Sequence, residues 1–252
     1  MLEILILSLV QGITEFLPIS SSSHIILFSK FMNFIHEDLI LNISLHIGSF
    51  LAVIVFFRKE IASFFIYRKI FFLIIIASLP IILFGYLLSQ SDIITDLRSI
   101  KIIGWTTLIF GVLLYFSDKS KNEKKLEINL DIKSAIIIGV MHTLSLIPGV
   151  SRSGIAITTG RFLGFDRVNS ARISFLLSIP TLFAVFSYGI HKVYNNNDLV
   201  ILKLNFISIF FSFIFSYMTI VFFLDYIKKA SLDIFAYYRV VLGILILIYA
   251  YM

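Results

Sequence analysis

The stretch "FLPISSSSHIILF", residues 16–28, places four serines and a histidine between two apolar runs. The chain around it is 59% hydrophobic and contains 27 phenylalanines among its 252 residues. Polar groups in such surroundings are costly unless protein or water satisfies their hydrogen bonds. The serine patch therefore predicts a turn inside a membrane-embedded protein.

Apolar segments that follow this patch are about long enough to cross a ~30 Å hydrocarbon core as helices. Spans are predicted near 39–57, 70–89, 99–117, 170–190, 204–224 and 236–252. The N-terminus has no basic flank and no small-residue cleavage site, so a removed signal peptide is not expected. We predict an all-α polytopic membrane protein with a single integral domain over residues 1–252.

The composition also excludes several classes of site. The chain has no cysteine, which excludes disulfides, thiolate zinc sites and cysteine nucleophiles. Its net charge of +6 is not arranged as a basic stripe with interleaved aromatic residues, so nucleic acid is not an expected partner. The positive charge is better explained by membrane topology.

The basic residues are distributed unequally between two sets of loops. Fourteen lie in one set, five lie in the other, and Arg152 and Arg239 belong to neither. The first set comprises 58–69, 118–134, 160–172 and 225–235; the second comprises 30–42, 90–101 and 191–203. Because cytoplasmic loops carry the excess of Lys and Arg, the first set is predicted to be cytoplasmic.

Weak internal repetition divides the chain into two halves. "SLHIGSFLAVI" begins at Ser44 and "SFLLSIPTLFAV" begins at Ser174, while "LP" at 17–18 recurs as "IP" at 147–148. We predict pseudo-repeats over about 1–117 and 135–252, joined by the cytoplasmic loop 118–134.

Each half begins with an apolar run too short to span comfortably. The runs 4–17 and 135–147 end near a proline and precede a serine-rich patch and a second short run, which is typical of a re-entrant hairpin. Three spans follow each hairpin, so the second half should be inverted relative to the first. Hairpin one should open from outside and hairpin two from the cytoplasm. Broken segments at matching positions of inverted halves indicate a site near the bilayer midplane.

The first hairpin carries a carboxylate and an imidazole. If its first run is helical, Gln11 and Glu15 share a face, and Pro18 ends the helix. The serines 20–23 would then lie at the start of the next helix, where free N–H groups favour an anion, and His24 just inside it. Alternatively, the serines only satisfy helix ends and Glu15 pairs structurally with His24. Ionisable residues at membrane depth are usually functional.

The second hairpin carries "IPGVSRSGIAITT", residues 147–159. Ser151 and Ser153 flank Arg152, a permanently charged planar donor suited to bidentate binding of phosphate oxygens. Alternatively, Arg152 only neutralises Glu15 in a structural ion pair.

Together the two tips offer the groups that phosphoryl transfer requires, usually with a divalent metal. The same groups suit an anion transporter or lipid-phosphate flippase built on an inverted repeat, and the residues alone leave both functions open. His46 and His142 lie in apolar segments and are candidates to line the same cavity, although a lone histidine is more often a core residue. Arg239 lies near the cytoplasmic end of the last span, where snorkelling or topology explains it.

Two motifs connect the chain to a known family. "QGITEFLPISSSSH" at 11–24 resembles the first motif of the bacterial undecaprenyl-diphosphate phosphatases, the bacitracin-resistance family, and "PGVSRSG" at 148–154 resembles the second. The likeness continues through "LHIGSFLAVIVFF", "ISFLLSIP" and "FAYYR".

This resemblance implies a phosphatase of the bacterial inner membrane that recycles the lipid carrier for cell-wall synthesis. The implied reaction hydrolyses undecaprenyl diphosphate to the monophosphate and phosphate, at a site open to the extracytoplasmic side. It implies a divalent cation, Mg²⁺ or Ca²⁺, held partly by Glu15. The expected partners are a polyprenyl diphosphate and the bilayer, and a homo-oligomer is compatible with the sequence.

The motifs also imply site residues. Glu15 and His24 match the motif carboxylate and histidine, Ser20 and Ser21 its paired serines, and Arg152 the phosphate-binding arginine. We predict His24 or Ser21, or water activated by them, as the attacking group. The predicted catalytic residues are Glu15, Ser21, His24 and Arg152, and the predicted substrate-binding residues are Gln11, Ser20, Ser22, Ser151, Ser153 and Thr158.

The chain departs from the family pattern at four positions. Gln11 replaces the first carboxylate of a pair and is not an anionic metal ligand. Ser23 stands where glycine is expected, and His142 where glutamine is common. Ala156 stands where threonine is usual, and Thr158 is the neighbouring hydroxyl.

Overall fold

The structure is a computed structural model, and it describes the greater part of the chain. The described ranges are 2–32, 39–63, 68–91, 96–119, 123–193 and 199–252. Parts of the predicted loops, at 33–38, 64–67, 92–95, 120–122 and 194–198, lie outside the described residues. Regular structure in the described ranges is helical, apart from one isolated bridge between Lys124 and Phe165.

Twelve α-helices are described, together with a 3₁₀ turn over Thr143–Leu146. They are α1 Leu2–Thr14, α2 Ser21–Met32, α3 Leu39–Phe56, α4 Arg58–Ser63, α5 Arg68–Ser89, α6 Ile100–Asp118, α7 Leu126–Asn129, α8 Ile132–His142, α9 Arg152–Phe162, α10 Arg167–Val193, α11 Leu199–Ile227 and α12 Asp233–Tyr251.

Five of these helices are long and apolar enough to cross a membrane, namely α5, α6, α10, α11 and α12. They confirm the all-α, multi-pass membrane prediction and match five of the predicted spans. The remaining predicted span, near 39–57, corresponds to α3, an apolar helix of 18 residues. At 1.5 Å per residue α3 is about 27 Å long, slightly less than the hydrocarbon core.

Four shorter helices form two helical hairpins, α1 with α2 and α8 with α9. They contain 13, 12, 11 and 11 residues, so each is at most about 20 Å long. The first ends at Thr14 rather than at residue 17, the end expected from the sequence. Pro18 disfavours helical geometry in the residue before it, and the turn closes with the Ile19 N–H donating to Leu17 O at 2.8 Å.

Helix contacts in one half are matched in the other. Helix α1 packs on α11 as α8 packs on α5, and α3 packs on α11 as α10 packs on α5. Two further large contacts, α6 with α12 and α3 with α10, join helices at corresponding positions of the two predicted halves, whereas α9 packs on α10 within the second half. Each hairpin is thus held against a span of the opposite half.

Glycines allow the hairpins to approach these spans closely. A Cβ atom on Gly12 would overlap Phe215, and one on Gly139 would lie 2.6 Å from Ala77 O. Small residues serve this purpose in membrane helix packing, where the hydrophobic effect gives little drive for association. The buried core reaches hairpin one through an edge-to-face contact between Phe16 and Phe175 of α10.

A buried carboxylate ties the helix ends on the side predicted to be cytoplasmic. The side chain of Asp118 is 0% exposed. It accepts from Arg167 Nε at 2.8 Å, lies 3.2 Å from Arg161 Nε, and accepts the Leu232 N–H at 2.9 Å. One side chain therefore joins the end of α6 to α9, α10 and the start of α12.

Replacing Asp118 by alanine would leave two guanidinium groups and one N–H without this acceptor. We expect Asp118→Ala to lower the free energy of unfolding by about 3–5 kcal/mol, the usual effect of breaking a buried ion pair. Denaturant unfolding in detergent micelles measures it. Asp225→Ala is the control, because Asp225 is 67% exposed and pairs only with Lys228 on the surface. Equal shifts for both variants would contradict the expectation.

Candidate active site

The tips of the two hairpins meet inside the helical bundle. Ser153 Oγ, at the start of α9, donates to Leu17 O of hairpin one at 2.7 Å. Ser151 Oγ accepts the Gly154 N–H at 3.0 Å and caps α9. The polar residues of the two halves thus belong to one connected cluster.

Arg239 of α12 joins the same two tips. Its Nη1 donates to Pro18 O at 3.2 Å, and its Nη2 donates to Gly149 O at 2.8 Å and Val150 O at 2.9 Å. Arg239 is 0% exposed, so the interpretation from the sequence that it snorkels to the cytoplasmic surface is wrong. One feature of the sequence indicated a different role: Arg239 belongs to neither set of basic loops.

Small residues in the neighbouring helices make this burial possible. A Cβ on Gly154 would lie 2.6 Å from Arg239 Nη1, and one on Gly111 would lie 2.8 Å from Arg239 Cβ. Such complementarity depends on the packing of three separate helices. The hydropathy of α12 alone therefore does not predict the burial of Arg239.

Each tip contains a serine in the left-handed backbone region. Ser20 has φ 75° and Ser151 has φ 73°. A residue with a Cβ occupies this region at a cost of about 1–2 kcal/mol, and such strain persists where the surroundings enforce it. The residues that follow, Ser21 and Arg152, begin α2 and α9.

Glu15 is the shared partner of the two tips. Its Oε2 accepts from Ser21 Oγ at 2.6 Å and from Gln11 Nε2 at 3.0 Å. Arg152 Nη2 lies 3.4 Å from Oε1, and His46 Nδ1 lies 3.8 Å from Oε2. The Glu15 side chain is 3% exposed. A buried carboxylate thus holds one hydroxyl and lies next to one guanidinium.

A cavity of about 510 Å³ lies over this cluster. At its inner end it is lined by Glu15, Ser20, Ser21, Ser22, His46, Ser151 and Arg152. Apolar side chains, including Ile25, Ile81 and Val185, line its walls. Ser89 and Arg98 also line it, next to the loop 90–101 predicted to be extracytoplasmic. The cavity therefore combines a polar inner end with apolar walls.

His24 does not line the cavity. Its Nδ1 lies 2.7 Å from Ser20 O, and its Nε2 lies 2.6 Å from the Tyr238 hydroxyl. The two rings are stacked, with an interplanar angle of 10°. Both ring nitrogens are thus engaged, and the partners of Glu15 are residues other than His24.

Three other predicted site residues lie outside the cavity lining. Gln11 Nε2 contacts Glu15 and also lies 2.7 Å from His46 Nδ1. Ser153 is bound to hairpin one, and Thr158 is 3% exposed within α9. The roles predicted for them in substrate binding remain predictions.

Comparison with known proteins assigns the chain to a family. Residues 4–245 match the family described as Bacitracin resistance protein BacA. The chain belongs to this family. The resemblance predicted from the two hairpin motifs is therefore confirmed.

Relatives in the BacA family match the chain over nearly its whole length. The undecaprenyl-diphosphatase of Pelagibacter ubique (strain HTCC1062) is 45% identical over 99% of this chain and 98% of its own. The undecaprenyl-diphosphatase of Jannaschia sp. (strain CCS1) is 36% identical, over 98% and 97% of the two chains. That of Alteromonas mediterranea (strain DSM 17117 / CIP 110805 / LMG 28347 / Deep ecotype) is 36% identical, over 97% of each.

The donor set of this BacA-family chain suits a metal shared with a phosphate ligand. Within the described ranges, no three His, Asp or Glu side chains form a metal-binding cluster. The oxygen donors that line the cavity at the tips are the Glu15 carboxylate and the hydroxyls of Ser20, Ser21, Ser22 and Ser151. Mg²⁺ is commonly held by one or two carboxylates together with substrate phosphates. The residues fit that arrangement rather than a cage made of protein ligands alone.

Removing the Arg239 guanidinium should loosen both tips together. In Arg239→Met three carbonyl oxygens lose their donor, and each unsatisfied buried group costs about 1–3 kcal/mol. We expect faster amide hydrogen exchange in peptides covering 15–24 and 147–154, measured by mass spectrometry in detergent. Lys228→Met, on the surface, should leave both peptides unchanged. Faster exchange in only one of the two tips would contradict the cross-bracing role.

Proposed function

We propose that this protein is an undecaprenyl-diphosphatase. It hydrolyses undecaprenyl diphosphate to undecaprenyl phosphate and inorganic phosphate, which recycles the lipid carrier for cell-wall synthesis. The proposal rests on one observation: the Ser21 hydroxyl donates a hydrogen bond to Glu15 beside Arg152, at the inner end of an apolar-walled cavity. Full-length relatives named undecaprenyl-diphosphatase support the same activity.

Ser21 is the nucleophile favoured by the hydrogen bonds. Its Oγ donates to Glu15, which accepts the proton as Oγ attacks the terminal phosphorus. The bond from that phosphorus to the bridging oxygen breaks, and undecaprenyl phosphate leaves with the bridging oxygen. Water then hydrolyses the phosphoserine, releasing phosphate and restoring the serine hydroxyl. Direct attack by water, with Glu15 as base, gives the same products.

Arg152 binds the phosphate that is transferred. Its side chain is 22% exposed and reaches the cavity while remaining 3.4 Å from Glu15 Oε1. The hydroxyls of Ser20, Ser22 and Ser151 line the same end and add neutral donors. Catalysis of phosphoryl transfer consists largely of such positioning and charge stabilisation.

His24 acts as a positioning residue in this proposal. Its contact with Ser20 O supports the strained turn that precedes Ser21, and Tyr238 fixes the ring. Gln11 orients the Glu15 carboxylate, and Ser153 holds the two tips together. Thr158, predicted to bind substrate, has no described contact with the cavity lining.

A divalent cation, Mg²⁺ or Ca²⁺, belongs to the proposal. Glu15, whose carboxylate lines the cavity, is the group that would hold it together with the diphosphate. When bound, such an ion neutralises charge on the phosphate oxygens.

The proposed topology is an inverted repeat of six spans and two re-entrant hairpins, with halves at about 1–117 and 135–252. The matched helix contacts of the two halves and the paired strained serines support it. We place the site on the extracytoplasmic side of the bacterial inner membrane. Support comes from the outer end of the cavity, which lies at Ser89 and Arg98 beside a loop with few basic residues.

Phosphate release from undecaprenyl diphosphate in detergent tests the function. Ser21→Ala, Glu15→Gln and Arg152→Ala should each lower kcat by at least about 100-fold, because each removes a group that acts on the reacting phosphate. Ser187→Ala, at an exposed position on α10, should match the wild type. No release by the wild-type protein would favour a flippase or an anion transporter instead.

A trapped phosphoenzyme identifies the nucleophile. Acid quenching during turnover should yield a peptide carrying one phosphoryl group on Ser21, localised by fragmentation mass spectrometry. The adduct should be absent from Ser21→Ala and present in His24→Gln. A phosphoryl group on His24 would refute the assignment.

Chelation tests the metal. We expect EDTA to abolish phosphate release and Mg²⁺ or Ca²⁺ to restore it. Gln11→Leu should raise the metal concentration needed for half-maximal activity by about tenfold, since it removes the amide that orients the Glu15 carboxylate. Full activity in excess EDTA would rule the metal out.

A further inference from the structure

The charged groups that line the cavity are not balanced along its length. Glu15 and Arg152 at the inner end lie 3.4 Å apart and offset each other. Arg98 is the remaining charged residue of the lining, and within the described ranges no acidic side chain pairs with it. Among the described lining residues the formal charges therefore sum to one positive charge, and it is at Arg98.

Arg98 lies toward the outer end of the cavity. Helix α5 passes the tip of hairpin two at Gly85, where an added Cβ would lie 3.4 Å from Leu146 Cδ2. Ser89 ends α5 four residues later, about 6 Å further along the helix axis. Arg98 lines the cavity together with Ser89, just before α6 begins. It therefore lines the cavity beyond the tip of hairpin two.

The geometry of phosphoryl transfer determines which phosphate of the substrate lies near Arg98. In phosphoryl transfer the attacking and leaving oxygens lie roughly in line on opposite sides of the phosphorus. Attack by Ser21 from the inner end therefore directs the leaving group toward the outer end. The leaving group is the lipid-linked phosphate, which gains negative charge as the bridging bond breaks.

We infer that Arg98 binds the lipid-linked phosphate of the substrate and of the monophosphate product. Arg152 and Arg98 then bind one phosphate each, and a diphosphate engages both cations where a monophosphate engages one. This assigns to Arg98 a share in selecting diphosphates and in stabilising the leaving group. The inference rests on the proposed function.

Product inhibition separates the two phosphate subsites. Hydrolysis of farnesyl diphosphate in detergent is measured with farnesyl phosphate or inorganic phosphate as inhibitor. Arg98→Gln should raise the inhibition constant of farnesyl phosphate about tenfold and leave that of inorganic phosphate unchanged, because a charge-assisted hydrogen bond to the lipid-linked phosphate is lost. It should also lower kcat/KM about tenfold, and Arg98→Lys should recover most of the loss.

Lys101→Gln is the matched control, because Lys101 is an exposed cation three residues away that lies over the Tyr251 ring, 4.6 Å from its centroid. Its kinetics should equal those of the wild type. The inference is overturned if Arg98→Gln behaves like the wild type, if both inhibitors weaken equally, or if Lys101→Gln shows the same losses. Absence of hydrolysis by the wild-type protein would instead refute the proposed function.

Discussion

The geometry of the site depends on the hydrogen bonds that the fully buried guanidinium of Arg239 donates. It donates to Pro18 O in one tip and to Gly149 O and Val150 O in the other. A charge inside a membrane protein is costly unless it is hydrogen-bonded, so those carbonyls must stay near it. Because the carbonyls belong to the turns that precede Ser21 and Arg152, one side chain of the last helix sets the distance between the two halves of the site.

The bilayer explains why such a contact is needed. In the proposed topology each hairpin turns within the hydrocarbon, which leaves helix-end N–H and C=O groups with no water to satisfy them. Here Arg239 donates to carbonyl oxygens of the turns, Ser153 donates to Leu17 O, and Ser151 caps α9. The residues that stabilise the turns also surround the cavity, which is why stability and the proposed chemistry share one cluster.

The environment of Glu15 distinguishes a structural ion pair from a site able to react. An ion pair alone would need only Arg152, whereas Glu15 also accepts a hydroxyl from Ser21 at the cavity surface. The carboxylate, the hydroxyl and the guanidinium come from three chain segments. Ser21 and Arg152 both contact Glu15, and Gln11 holds that carboxylate from outside the cavity lining, which leaves the reactive groups oriented before any ligand binds.

The sequence by itself determined the features that arise from local contacts. Hydropathy located the spans because a helix must match the membrane thickness, and the four-residue spacing of Gln11 and Glu15 brought them into contact on α1. The two polar patches predicted the two hairpins, and the motifs within them indicated the family. Only the tertiary structure decided that His24 faces Tyr238 instead of the cavity and that Arg239 is buried, because both depend on how α12 packs against tips more than 85 residues away. Packing between distant segments produces no periodic pattern in the sequence.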